Sequence, residues 1–169
     1  MTKIIKKGGD NLVIKVGVLI QKNKGLILIR EKSWMDGLYH WNIIKGTFEP
    51  EKDRDFIATA KRESREEANA SINVVGLLNI LYLRKNKRSF IQFNFVADLV
   101  GSRFYISPKR KQRKFRKDED IVEVKMFTKR ELRNMKKKDF IGERTYTTIQ
   151  DWLRGRKHEK DLIKKVRTY

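Results

Sequence analysis

Glu63, Glu66 and Glu67 stand within five residues of one another, in the run Arg62-Glu63-Ser64-Arg65-Glu66-Glu67-Ala68-Asn69. The chain around them is strongly basic: 41 Lys and Arg against 21 Asp and Glu give a net charge of +20. If the run is helical, successive side chains turn by about 100°, so Glu63 and Glu67 overlie each other and Glu66 lies beside them. Like charges this close repel, and an ordinary surface helix gains nothing by clustering them. A divalent cation removes that repulsion. Mg²⁺ takes hard oxygen ligands and commonly bridges one or two carboxylates to substrate phosphates. It polarises a phosphoryl group and lowers the pKa of a bound water. The competing reading is a solvated helix in which Lys61, Arg62 and Arg65 neutralise the glutamates. Spacing alone leaves both open.

The carboxylates need a helix, and the pattern before them supplies its entry. Trp41 to Ile44 reads as a short strand, Lys45 to Asp53 as an acidic loop containing Gly46, and an Asp at 53 or 55 as the cap of a helix running to about Ala68. Ile57, Ala60, Ser64 and Ala68 form a separate stripe on that helix, facing the core. Upstream, Asn11–Ile20 and Gly25–Arg30 read as a hairpin joined by a polar turn. Downstream, Asn73–Leu83, Phe90–Val100 and Ile121–Phe127 read as strands. Thr128 with Glu131 forms a capping box for a helix over Lys129–Met135. Tyr146, Ile149, Trp152 and Leu153 have helical spacing within a helix over Arg144–Leu153. Strands dominate, with one helix inserted after the third and more at the end, which indicates an α+β fold.

A length of 169 residues suits one domain with a full core. There is no cysteine, which excludes a disulfide framework, a Cys-ligated zinc and a cysteine nucleophile. Neither a membrane-length apolar run nor a secretory leader is evident, so the expected location is cytoplasmic and no membrane partner is expected. The two histidines, His40 and His158, have no motif around them. The positive charge favours polyanionic partners.

The segment from Gly46 to Ala70 resembles the Nudix box, GX5EX7REUXEEXGU, where U is a bulky aliphatic. Gly46, Arg62, Glu63, Glu66 and Glu67 match it. Trp41-Asn42-Ile43-Ile44-Lys45-Gly46 is similar to the W-x-x-P-(G/K)-G entry, and Glu49-Pro50 to the E-P that follows. The segment from Glu119 to Phe127, with Glu131-Leu132, resembles the family's late E-V strand and E-L helix. The resemblance implies a Nudix-type α/β/α sandwich with a mixed central sheet and the box loop and helix over residues 10–135. Residues 1–9 would be a basic N-terminal extension and 136–169 a basic extension with an extra C-terminal helix. The departures lie in the box. Its first Glu falls on Lys52 counting from Gly46 and on Arg54 counting back from Arg62, so the loop is two residues longer than the pattern. Glu51, Asp53 or Asp55 would have to supply that acid. Ser64, Asn69 and Ala70 replace the aliphatic, Gly and aliphatic positions, and Ile44 replaces Pro.

The resemblance implies hydrolysis of a pyrophosphate linkage in a nucleoside diphosphate derivative, with Mg²⁺ or Mn²⁺ as cofactor. Glu63, Glu66 and Glu67 would be metal ligands, with Glu66 and Glu67 also in the chemistry, Arg62 orienting the carboxylates and Glu119 a further catalytic acid. Arg30, Lys45, Gly46, Lys109 and Arg110 would bind phosphate. Pro108 to Lys117 carries seven basic residues among the nine from Lys109 and one aromatic, Phe115, so RNA with a phosphorylated 5′ end is a second substrate class. Two other readings remain: a degenerate Nudix domain that binds nucleotide or RNA without turnover, and a basic RNA-associated domain with an accidental box.

Overall fold

The computed structural model describes residues 11–85, 88–106 and 120–159. Seven strands form one mixed sheet. They are β1 (Asn11–Lys22), β2 (Gly25–Lys32), β3 (Tyr39–Asn42), β4 (Ile44–Thr47), β5 (Ile72–Lys85), β6 (Arg88–Leu99) and β7 (Ile121–Thr128). Among the described residues three α-helices join them: α1 (Phe56–Ala68), α2 (Lys129–Asn134) and α3 (Glu143–Leu153). The path through the sheet is β3-β2-β1-β6-β5, with β4 added to β1 and β7 to β2. Only β1 and β6 run parallel; the other pairs are antiparallel.

Alternation along β1 and β2 separates the two faces. Val16, Val18, Ile20, Ile27 and Ile29 point to one side, where Ala60 and Ala68 of α1 close the core. Leu19, Leu26 and Leu28 point to the other, against Leu132 of α2 and Ile149 and Trp152 of α3. Helices therefore cover both faces of a mixed sheet, the α/β/α sandwich that the resemblance implies. The helix over Arg144–Leu153 is part of this core, not an appendage to it.

β1 also positions the box. Its middle, Lys15 to Val18, pairs with β4, and its end, Ile20 to Lys22, pairs with β2. Gly17 lies opposite Lys45 of β4 and beside Asn94 of β6. A Cβ added at Gly17 would lie 2.1 Å from Asn94 Oδ1 and 2.9 Å from Ile43 Cδ1. Asn94 cannot easily yield. It is fully buried, accepts from Gln92 Nε2 at 2.8 Å and donates to Asn79 Oδ1 at 2.7 Å. Gly17→Ala is accordingly expected to destabilise the fold by about 2 kcal/mol, through overpacking and displacement of a satisfied buried amide. Urea denaturation measures this, and an unchanged midpoint would show that the Asn94 site adapts freely.

Candidate active site

The box strand, loop and helix meet at Arg62. Asp55 starts α1, its carboxylate accepting from the Ala58 amide at 2.8 Å. Asn69 ends the helix in the left-handed region, with φ of 48°, as expected for the residue that replaces the box's glycine. Ser64, at the aliphatic position, is fully buried and donates back to Ala60 O at 2.7 Å. A small satisfied residue thus fits where the motif carries a large one.

Asp53 is the acid that the lengthened loop brings to the site. Arg62 donates Nε to Asp53 Oδ1 at 2.8 Å and Nη2 to Asp53 Oδ2 at 2.7 Å, a bidentate pair. Arg62 Nη1 also reaches Glu63 Oε1 at 2.7 Å and Glu66 Oε2 at 3.4 Å, and its Nη2 reaches Thr47 O at 3.2 Å. The two extra residues flank Asp53, leaving six positions between Gly46 and Asp53 and eight between Asp53 and Arg62. A turn absorbs the first of them. The amides of Lys52 and Asp53 both donate to Glu49 O, and Asp53 Oδ2 accepts from the Glu49 amide at 3.1 Å. Of the other two candidate acids, Asp55 is used as the helix cap and Glu51 is exposed.

Glu63 and Glu67 lie on the buried side of α1, and Glu66 is partly accessible. Glu67 Oε2 accepts from the Lys45 amide at 3.2 Å, which ties the helix to β4. Lys45 Nζ donates to Glu31 Oε1 at 3.2 Å, and Asn42 Nδ2 donates to the same oxygen at 2.6 Å. Glu31 and Asn42 are both buried. The composition of the strand Gly25–Arg30 does not reveal this role for Glu31. Its period does: Ile27, Ile29 and Glu31 share one face of β2, so a strand continued to Lys32 puts an acid in line with core positions.

Arg30, another expected site residue, lies elsewhere. Arg30 stands on the opposite face of β2 from Glu31, 3.6 Å from Glu123 and over the Trp41 ring, and is not brought to the box. Trp41 packs edge-on against Phe127. Glu119, Lys109, Arg110 and the basic stretch 108–117 fall outside the described residues, as does the tail with Leu162, Ile163 and Val166.

Burial raises the Asp53 pKa, but the bonds from Arg62 and the Glu49 amide outweigh it and hold the carboxyl below its usual range. The Asp53 bonds, opposed by burial, likewise raise Arg62 above its already high value, with Glu63 and Glu66 adding to the effect. The hydrogen-bonded set thus joins Asp53, Glu63 and Glu66 to the Arg62 guanidinium, Glu31 to the Lys45 ammonium and Glu67 to the Lys45 backbone amide. Among the described residues no three His, Cys, Asp or Glu side chains are arranged as a metal cage; Arg62 lies between the carboxylates instead. The donor chemistry nevertheless suits a hard divalent cation: Glu63, Glu66 and Glu67 offer carboxylate oxygens along one side of α1.

The NUDIX domain model matches residues 11–148. The chain belongs to the NUDIX family. It is a hydrolase of phosphoric anhydrides by that membership, and hydrolases of this family generally use divalent metal ions. A NUDIX hydrolase from Nitrosomonas europaea superposes with a TM-score of 0.72 at 22% identity, covering 91% of this chain and 97% of that one. An ADP compounds hydrolase superposes at 0.62 with 21% identity, over 85% and 74% of the two chains. A UDP-X diphosphatase gives 0.61 and 17%, over 91% and 68%. No curated protein matches the sequence. Among the described residues no helix is long and apolar enough to cross a membrane.

Asp53 has a depressed folded-state pKa, so its ion pair contributes stability above the unfolded carboxyl value of about 3.9 and loses it as pH falls through the lower folded value. Asp53→Ala should therefore cost about 3 kcal/mol at neutral pH, leaving Arg62 without its bidentate partner. The gap between wild type and variant should narrow as the pH is taken below about 4. Urea melts at pH 7 and pH 3 test this; equal gaps at both would refute the assignment.

Proposed function

We propose that this chain hydrolyses the pyrophosphate linkage of a nucleoside diphosphate derivative, with Mg²⁺ as the working ion and Mn²⁺ as a substitute. The observation that carries the reading is the alignment of Glu63, Glu66 and Glu67 on one face of α1, anchored against Lys45 of β4. Those three glutamates would hold the ion. When bound, it supplies charge neutralisation at the phosphates and a more acidic water.

The protein side chains do the positioning. Arg62 holds Glu63 and Glu66 side by side and is itself held by Asp53. Glu66, the most accessible of the three, would accept a proton from an attacking water. Lys45 Nζ, on Glu31 in this arrangement, can turn towards a substrate phosphate, and Gly46 leaves the strand beside it without a side chain. The names of the ADP compounds hydrolase and the UDP-X diphosphatase agree with a nucleoside diphosphate moiety. The charge of +20 keeps triphosphorylated RNA among the candidate substrates.

The test is a panel of nucleotide sugars, ADP-ribose, dinucleoside polyphosphates, nucleoside triphosphates and triphosphorylated RNA, with Mg²⁺ or Mn²⁺, scored by release of phosphate or monophosphate. Glu67→Gln should lower kcat about 10³-fold on the best substrate while the protein stays folded. Binding without turnover across the panel, or a fully active Gln variant, would overturn the proposal.

A further inference from the structure

A second charged site lies at the far end of β1, on the α3 side of the sheet. It is a cleft of about 370 Å³, within the size range of small-ligand pockets. Its floor is apolar: Trp152 and Val96 are both buried core residues. Its rim is basic, carrying Lys22, Lys24, Lys129, Arg156 and Lys157. It shares no residue with the box and stands five residues along β1 from Gly17, roughly 17 Å at the rise of a strand.

The rim is held by fixed backbone. Lys24 sits at the tip of the β1–β2 hairpin, where Asn23 and Lys24 both take left-handed conformations, with φ of 49° and 62°. Lys157 precedes His158, whose amide donates to Leu77 O at 2.7 Å and whose carbonyl accepts from the Leu77 amide at 2.9 Å. Lys129 begins α2, and its ammonium stands 5.1 Å over the Trp152 ring. Trp152 is fixed in turn by Nε1 donating to Gln21 Oε1 at 3.2 Å.

The acids nearby offset only part of this rim. Asp98, which also lines the cleft, accepts from Gln21 Nε2 at 2.7 Å. Asp151 engages Arg156 at 2.9 Å and lies behind it. Lys22 donates to Gly101 O, and none of Lys22, Lys24, Lys129 and Lys157 forms an ion pair with a described carboxylate. Like charges gathered at one cleft repel, and an anion carrying several negative charges relieves this. Lysines suit phosphate as compact, mobile point charges.

We propose that this cleft is a second binding site, separate from the hydrolytic one, for an anion bearing adjacent phosphate groups. The rim lysines take the phosphates, and the apolar floor accommodates the organic body attached to them. A free nucleotide and the phosphorylated 5′ end of a nucleic acid share this chemistry.

The test measures binding to Glu67→Gln protein in EDTA, so that neither hydrolysis nor metal contributes. The probes are inorganic tripolyphosphate, ATP, and a short single-stranded RNA with either a 5′-triphosphate or a 5′-hydroxyl. Lys24→Glu/Lys157→Glu should weaken tripolyphosphate binding about tenfold or more, as two charge-assisted contacts become repulsive. Added to the wild-type background, the same pair should leave any hydrolytic activity unchanged. The control is Lys136→Glu/Lys138→Glu, which changes net charge equally at exposed positions away from the cleft and should have little effect. Thermal midpoints confirm that each variant is folded. Tighter binding of ATP than of triphosphorylated RNA assigns the site to free nucleotides; the reverse order, with the 5′-hydroxyl RNA weakest, assigns it to nucleic-acid ends. Equal weakening by the cleft and control pairs, or no weakening by the cleft pair, overturns the proposal. Because no turnover is measured in the binding arm, its outcome is independent of the hydrolytic reading.

Discussion

The ion pair between Arg62 and Asp53 is the constraint on which the box depends. Several carboxylates sit close together, two of them on the buried side of α1, and such a group repels itself unless a cation is fixed among them. Arg62 is that cation within the protein. Its planar fork matches Asp53 bidentately, which leaves Nη1 aimed at Glu63 and Glu66. Asp53 in turn is held by the Glu49 amide, so the loop, the arginine and the helix face form one connected unit. A lysine at 62 could neutralise charge but could not hold this geometry, because an ammonium cannot make the paired contact.

The sheet gives that unit a rigid base and keeps the two sides of the molecule chemically distinct. One face of β1 carries Val16, Val18 and Ile20 to the α1 side; the other carries Leu19 to the α3 side, with Gly17 leaving room for Asn94. Beneath α3 lies a satisfied polar layer. Gln92 donates to Asn94, Asn94 to Asn79, and Asn79 to Asp151. Thr145 of α3 also donates to Asn42, which donates to Glu31. The helix on the far side of the sheet thus shares a chain of hydrogen bonds with the residues that hold Lys45.

Much of this was legible in the residues. The hairpin, the late strand, the capping box at Thr128 and the helix around Trp152 follow from alternation, turn chemistry and helical spacing, which are local signals. The grouping of Glu63, Glu66 and Glu67 follows from helical geometry as well. The identity of the loop acid did not follow. Counting from either end of the box lands on Lys52 or Arg54, and the turn closed on Glu49 O is what brings Asp53, rather than either of them, against Arg62. Glu31 is legible only if the strand is continued past Arg30, and the role of Asn42 comes from strand pairing across the sheet, which no local signal carries. The basic cleft is harder still. Its lysines come from the β1–β2 turn, the start of α2 and the segment after α3, and no window of sequence holds them together.

The parallel seam between β1 and β6 has a consequence for how the chain reaches this state. The seam joins Asn11 to Arg88 and runs to Gln21 and Asp98, a separation of 77 residues. Hairpins such as β1–β2 and β5–β6 need only short closures, whereas this pairing must wait until the whole box loop and helix lie between its partners. Closing so long a loop gives no stabilisation until the seam forms, so the step that joins the two antiparallel halves is the slow one for this topology. Until it happens, the inner edges of β1 and β6 are open backbone, and the nascent protein is at its most vulnerable to pairing with another chain.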